Sequence, residues 1–133
     1  MPRYLLDTNT CIAIIKDSKD AGQRFKSRAL SELMVSTVTV FELWTGVEKC
    51  SKPAHEAVRV EGFLSLVEVA EFAVSASKRA AQVRAHLEGA GQTIGPYDTL
   101  LAGHALDLGC TIVTHNTREF KRVPGLKVED WVA

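Results

Sequence analysis

The sequence predicts an α/β sandwich with a mostly parallel sheet. Two observations carry that prediction. The runs Tyr4-Leu5-Leu6, Leu33-Met34-Val35-Ser36 and Thr111-Ile112-Val113 are apolar, have strand length, and precede turn or capping residues. Between them lie longer segments with apolar residues at helical spacing, of which Val40, Leu43, Trp44 and Val47 (i, i+3, i+4, i+7) form the clearest stripe. Strands separated by helices pair in parallel, because each intervening helix carries the chain back across the sheet.

Taken in order, Tyr4 to Leu6 reads as a buried strand that ends in the capping cluster Asp7-Thr8-Asn9-Thr10, with a helix through Cys11, Ile12, Ile14 and Ile15. A polar helix over 21–29 precedes the second strand, 33–36, and the helix around Val40 to Val47. Pro53 breaks the chain before a helix over 54–65 and a strand over 66–69. The alanine-rich stretch 73–88 is helical, with Gly89 and Gly91 as stop signals. Pro96 opens a helix over 97–108, and Gly109 stands just past its end. The strand 111–113, a short helical turn over 117–120 and an extended piece near Lys127-Val128 complete the reading.

A chain of 133 residues is one domain, 1–133, able to bury a single core. With 46% hydrophobic and 24% charged residues, the composition is that of a globular protein and excludes disorder. Sixteen basic residues balance sixteen acidic ones, so any binding of nucleic acid needs a local patch, not a net field. Cys11, Cys50 and Cys110 are odd in number and form no CxxC pair, which argues against a thiolate metal site and for a reducing, cytoplasmic compartment. Met1-Pro2-Arg3-Tyr4 is read as no signal peptide, since the apolar run behind it ends at Asp7. No stretch reaches the roughly 18 apolar residues of a membrane span.

In parallel sheets ligands sit beyond the carboxyl ends of the strands, and that is where the acids fall. Asp7 follows the first strand, Glu42 lies in the helix after the second, Asp98 opens the helix after Gly95-Pro96, and Asn116 and Glu119 follow the strand 111–113. Carboxylates plus an amide, with no His or Cys at ligand spacing, suit a hard cation such as Mg²⁺ or Mn²⁺. Such an ion activates water and stabilises in-line displacement at phosphorus. Each residue also has a structural reading. Asp7 can cap the first helix, Thr39-x-x-Glu42 fits a capping box, Asp98 suits the positive end of a helix dipole, and Asn116-x-x-Glu119 can be a cap with its partner. The apolar stripe leaves Glu42 on the opposite side of its helix, facing solvent or a cleft. His55, His86, His104 and His115 lack metal-site spacing and default to surface or satisfied core roles, and Trp44 and Trp131 to packing. Arg118, Lys121 and Arg122 form a basic group near Asn116, suited to phosphate contact or to a solvated face.

Together these segments resemble the PIN-domain family. Leu5-Leu6-Asp7-Thr8-Asn9 is similar to its opening strand and first acid. Ser36-Thr37-Val38-Thr39-Val40-Phe41-Glu42-Leu43 is similar to the second motif, and Ile94-Gly95-Pro96-Tyr97-Asp98 with Leu101-Ala102-Gly103-His104-Ala105 to the third. The fourth is matched by Ile112-Val113-Thr114-His115-Asn116-Thr117-Arg118-Glu119-Phe120. Arg122-Val123-Pro124-Gly125-Leu126 and Val128-Glu129-Asp130-Trp131 resemble the tail of VapC-type toxins of type II toxin–antitoxin pairs.

The resemblance implies a PIN domain, with a central parallel sheet of four to five strands flanked by helices. It implies an endoribonuclease that uses Mg²⁺ or Mn²⁺ to activate water against a phosphodiester, with structured RNA as substrate, chiefly tRNA. Asp7, Glu42, Asp98, Asn116 and Glu119 would be catalytic, with Asp7, Asp98, Glu42 and Asn116 as metal ligands and Thr8 and Thr114 orienting the ligands or water. Expected partners are a VapB-like antitoxin that enters the acidic groove, a second copy in a homodimer, and promoter DNA reached only through the antitoxin. One departure is that Asn116 stands where many PIN domains have aspartate, so Glu119 becomes the alternative fourth carboxylate. The corresponding alternative function is a catalytically weak module that binds RNA or a partner. Two other aspartate-bearing α/β classes fit poorly. Asp7 lacks the acidic neighbour of a receiver domain, and Asn9 breaks the Asp-x-Asp of haloacid-dehalogenase-like phosphatases.

Overall fold

The computed structural model describes residues 3–17 and 19–132. Met1 and Pro2, part of the opening read above, lie outside them. Five parallel strands form one sheet in the order β3-β2-β1-β4-β5: β1 Tyr4–Leu6, β2 Leu33–Ser36, β3 Glu68–Ala70, β4 Thr111–Val113 and β5 Val128–Glu129. The helices are α1 Thr8–Ile15, α2 Lys19–Lys26, α3 Thr37–Lys49, α4 Pro53–Leu64, α5 Val74–Gly89, α6 Pro96–Leu108 and α7 Thr117–Phe120, with a 3-10 turn at Leu30–Glu32.

Strand alternation divides the core between the two faces of the sheet. Tyr4, Leu6, Leu33 and Val35 point to one side, where Cys11, Leu43, Val47, Val60, Phe63 and Trp131 pack on them. Leu5, Met34 and Ile112 point to the other, against Val83, Leu87, Leu101, Ala105 and Phe120. The short inner strands are therefore buried along their whole length instead of alternating between core and solvent.

Several boundaries differ from the sequence reading, each for a local reason. Helix α1 begins at Thr8, within the expected capping cluster, with Asp7 as its N-cap. The polar helix α2 runs from Lys19 to Lys26, ahead of the expected 21–29. Pro53 opens α4 at its first position, where its missing N–H costs nothing. Strand β3 is shifted toward Ala70 by its pairing with β2, Met34 to Glu68 and Ser36 to Ala70, which leaves Leu66 exposed. Helix α5 continues through Gly89, and Gly91 takes the left-handed conformation (φ 65°). Gly109 ends α6 in the same way (φ 68°), as expected.

Helices α5 and α6 pack closely at Gly103, where a Cβ would stand 2.4 Å from the Ala80 Cα. In α3, Leu43 and Val47 are buried in the core, while Phe41, on the other side of the helix, is exposed. Cys11, Cys50 and Cys110 are free thiols. Among the described residues no helix is long and apolar enough to cross a membrane.

Candidate functional site

The chain leaves β1 toward β2 and β3, then returns to the other side of β1 with β4 and β5. The crevice where the order reverses opens beyond the carboxyl ends of β1 and β4. Asp7 stands there, 4% exposed. Its Oδ1 accepts from the Thr10 backbone N–H at 2.8 Å, and its own N–H donates to the Val113 carbonyl at 3.0 Å. Asp7 is therefore a helix cap and a candidate site residue at once, held by both strands. Burial raises its pKa, opposed by hydrogen bonds from Thr114 and Thr10.

Glu42 is brought in by α3. Ser36 caps this helix, its Oγ accepting from the Val38 N–H at 3.0 Å, so Glu42 lies in the second turn and is not part of a capping box. The Thr8 hydroxyl donates to Glu42 Oε1, and Thr8 Oγ1 lies 3.2 Å from Thr39 Oγ1. That link ties the start of α1, and with it Asp7, to Glu42.

Asp98 is the third residue of α6, after Pro96, and is half-buried. Its pKa is raised to about 6, first by burial and then by the charges of Asp7, Glu119 and Glu42, while a hydrogen bond from Asn116 lowers it. Four of the five predicted residues thus act on the fifth. Among the described residues none of the four acids forms an ion pair with Lys, Arg or His.

Asn116 precedes α7, but its side chain does not cap that helix. Its Nδ2 donates to Glu119 Oε2 at 3.0 Å and lies 3.5 Å from Asp98 Oδ2, while its backbone N–H donates to Thr114 Oγ1 at 2.9 Å. The amide turns its nitrogen toward the acids, as neighbouring anions require; a cation there would draw the oxygen instead. Among the described residues no group of three or more His, Cys, Asp or Glu side chains is arranged to hold a metal ion as it stands. The donor set still fits a hard divalent cation, since every group is oxygen-bearing and the acids repel one another without a positive partner. Asp7, Asp98, Glu42 and Asn116 are the residues that would hold it.

Sequence reasoning missed Asp130, whose charge also raises Asp7 and whose Oδ2 is 3.0 Å from His115 Nδ1. No spacing ties residue 130 to residue 7; the parallel pairing of β5 with β4 does. Thr8 and Thr114 touch Glu42 and Asp7 directly. Arg118 and Lys121 are exposed on and beside α7, whereas Arg122 is partly covered, its Nη1 donating to the Thr93 carbonyl at 3.0 Å. A groove of about 410 Å³ runs from Glu42 between α1, α3 and α4, lined by Ile12, Ile15, Leu43, Val47 and Val60.

Comparison with known proteins agrees with this architecture. The PIN domain family model matches residues 4–126. The chain is 40% identical over 131 residues to the tRNA(fMet)-specific endonuclease VapC of Salmonella typhimurium, covering 98% of this chain and 99% of that one. It is 35% identical over 133 residues to ribonuclease VapC2 of Haemophilus influenzae, covering 99% and 100%. Among solved structures, a DNA-bound VapBC of Salmonella typhimurium superimposes with a TM-score of 0.93 at 42% identity, over 98% of this chain and 99% of that one.

Proposed function

The chain belongs to the PIN-domain family, among its VapC-type members, and from that premise we propose that it is a divalent-cation-dependent endoribonuclease toxin held in check by a VapB-like antitoxin. The observation that carries the reading is the acid cluster. Asp7, Glu42, Asp98 and Glu119 converge without a cationic partner among the described residues, and burial together with the charges of the other three pushes Asp98 up to about 6. A protein does not gain stability by crowding unpaired carboxylates, so the arrangement serves a positively charged ligand.

When bound, Mg²⁺ or Mn²⁺ would supply an activated water and neutralise charge developing at phosphorus. The chain's own residues do the rest. Asp7 and Asp98 hold the cation, Glu42 and Asn116 complete the set, and Thr8 fixes the Glu42 carboxylate. Glu119 keeps the Asn116 amide in place from the far side. Arg118 and Lys121 bind backbone phosphates beside the acids, a local patch that a chain of zero net charge requires.

The proposed substrate is structured RNA, with tRNA first because a 40%-identical relative bears that specificity in its name. The proposed antitoxin contact is the groove beside Glu42, whose apolar floor and adjacent acids suit a segment with apolar and basic residues; promoter DNA would be bound only through the antitoxin. A homodimer is proposed through the face bearing Phe41 and Tyr97, 55% and 45% exposed with ring centroids 5.8 Å apart. Three free thiols fit action in the cytoplasm.

The test is incubation of antitoxin-free protein with total tRNA in Mg²⁺ or Mn²⁺, with EDTA and Asp7→Asn as controls. Discrete fragments that need both the metal and Asp7 are expected. One observation favours a second reading, a weak binding module: Asn116 brings no charge to the site. RNA retention without cleavage under any metal would select it.

A further inference from the structure

We propose that His104 is a positioning residue for the acid cluster, tying the helix that carries Asp98 to the capped start of the helix that carries Glu42. The inference rests on the metal-nuclease reading and deepens it. His104 is 1% exposed, and its Nδ1 lies 2.9 Å from Ser36 Oγ. Ser36 is itself fully buried and already accepts from the Val38 N–H, so its hydroxyl hydrogen is free to donate to the ring nitrogen. That direction leaves the proton on the other nitrogen, on the side of the ring that hydrogen-bonds the Glu71 backbone. Phe72 meets the ring edge-on, centroids 5.3 Å apart, and the Phe72 N–H donates to Thr37 Oγ1 at 3.0 Å. One imidazole thus joins α6, the end of β2, the start of α3 and the segment after β3.

The placement matters because of what each helix carries. His104 follows Asp98 by six residues in α6, and Glu42 follows Ser36 by six residues in α3. Each acid therefore stands about 9 Å along its helix from the shared hydrogen bond, at 1.5 Å per residue. Gly103, next to His104, lets α6 press against the Ala80 backbone of α5. With that contact behind it and Ser36 in front, α6 cannot slide along its axis without breaking one of them. The distance between Asp98 and Glu42 is set by this joint and not by the acids, which repel each other.

The experiment compares His104→Asn with His104→Gln. An Asn amide reaches the place of Nδ1 and can keep the Ser36 bond; a Gln amide reaches the place of the far nitrogen and keeps only the Glu71 side. Cleavage of tRNA and Mn²⁺ binding by calorimetry are measured on the full chain, with Ser36→Ala and the Ser36→Ala, His104→Gln double variant. Gln is expected to lower kcat about 10- to 100-fold and to weaken Mn²⁺ binding, with KM for RNA little changed, because misplaced ligands cost rate more than substrate binding. Asn is expected to restore most of both. The double variant should lose no more than the worse single one. Equal losses for Asn and Gln, or losses that multiply in the double variant, overturn the inference while wild-type activity stands. If the wild type neither cleaves nor binds Mn²⁺, the nuclease reading itself falls, and this inference with it.

Discussion

Replacing Asp98 with Asn is expected to stabilise the metal-free protein while abolishing cleavage. The carboxyl titrates at about 6 in the fold against 3.8 ordinarily, chiefly through burial and then through Asp7, Glu119 and Glu42. A raised acid pKa means that the folded state holds the proton more tightly than the unfolded chain. Stability is therefore lost as pH rises from near 3.8 through 6, and the full penalty is present above that window. About two pKa units at 1.36 kcal/mol each set a ceiling of about 3 kcal/mol, and solvent access to a half-buried group reduces this to about 1–2 kcal/mol. The amide removes the charge and keeps the shape. Denaturant unfolding in EDTA at about pH 7.5 should show Asp98→Asn more stable by that amount, roughly 3–8 °C in Tm. The gain should shrink toward zero near pH 4. Adding Mg²⁺ should raise the wild type and leave the variant nearly unmoved. A variant less stable than wild type in EDTA at neutral pH would refute the view that these acids are mutually repelling and uncompensated.

Other substitutions separate the roles further. Asp7→Asn should end cleavage with a stability change under about 1 kcal/mol, because Asn also caps helices, whereas Asp7→Ala should lose about 1–2 kcal/mol in thermal melts. Gly103→Ala should destabilise by about 1–3 kcal/mol or more, since the added Cβ meets the Ala80 backbone at 2.4 Å and neither helix can give way alone; denaturant midpoints decide it. Burial lowers the pKa of His104, so its contribution is present above about pH 6.5 and is lost as pH falls through the lowered folded value; His104→Gln should flatten stability against pH in that acid range.

Much of the fold was legible because its signals are local. Asp7 after Leu6, Pro96 at the start of α6 and Gly109 at its end each act within one turn of chain, and all three lie where the sequence places them. The strand β3 was misplaced because its bounds come from pairing with Met34 to Ser36, a contact over thirty residues away in sequence. The meeting of the five candidate residues was legible in outline from the rule that ligands sit beyond the carboxyl ends of parallel strands, with Asp7 after β1 and Asn116 after β4 as its clearest instances. Their partners were not. Thr8 reaches Glu42 across 34 positions and His104 reaches Ser36 across 68, and neither pair has a spacing signature. Glu42 looked like half of a capping box only because the true cap, Ser36, was assigned to the strand it also ends. Asp130 entered the acid edge through β5, a strand of two residues, too short to carry a periodic signal.

The most direct measurement is anomalous scattering from crystals of the protein grown or soaked with Mn²⁺. The account predicts one strong peak in the crevice beyond β1 and β4, bounded by Asp7 and Asp98 with Glu42 and Asn116 at its sides, and its loss in the Asp98→Asn variant. Crystals that take up Mn²⁺ elsewhere, or show nothing among these acids at millimolar metal, would contradict it.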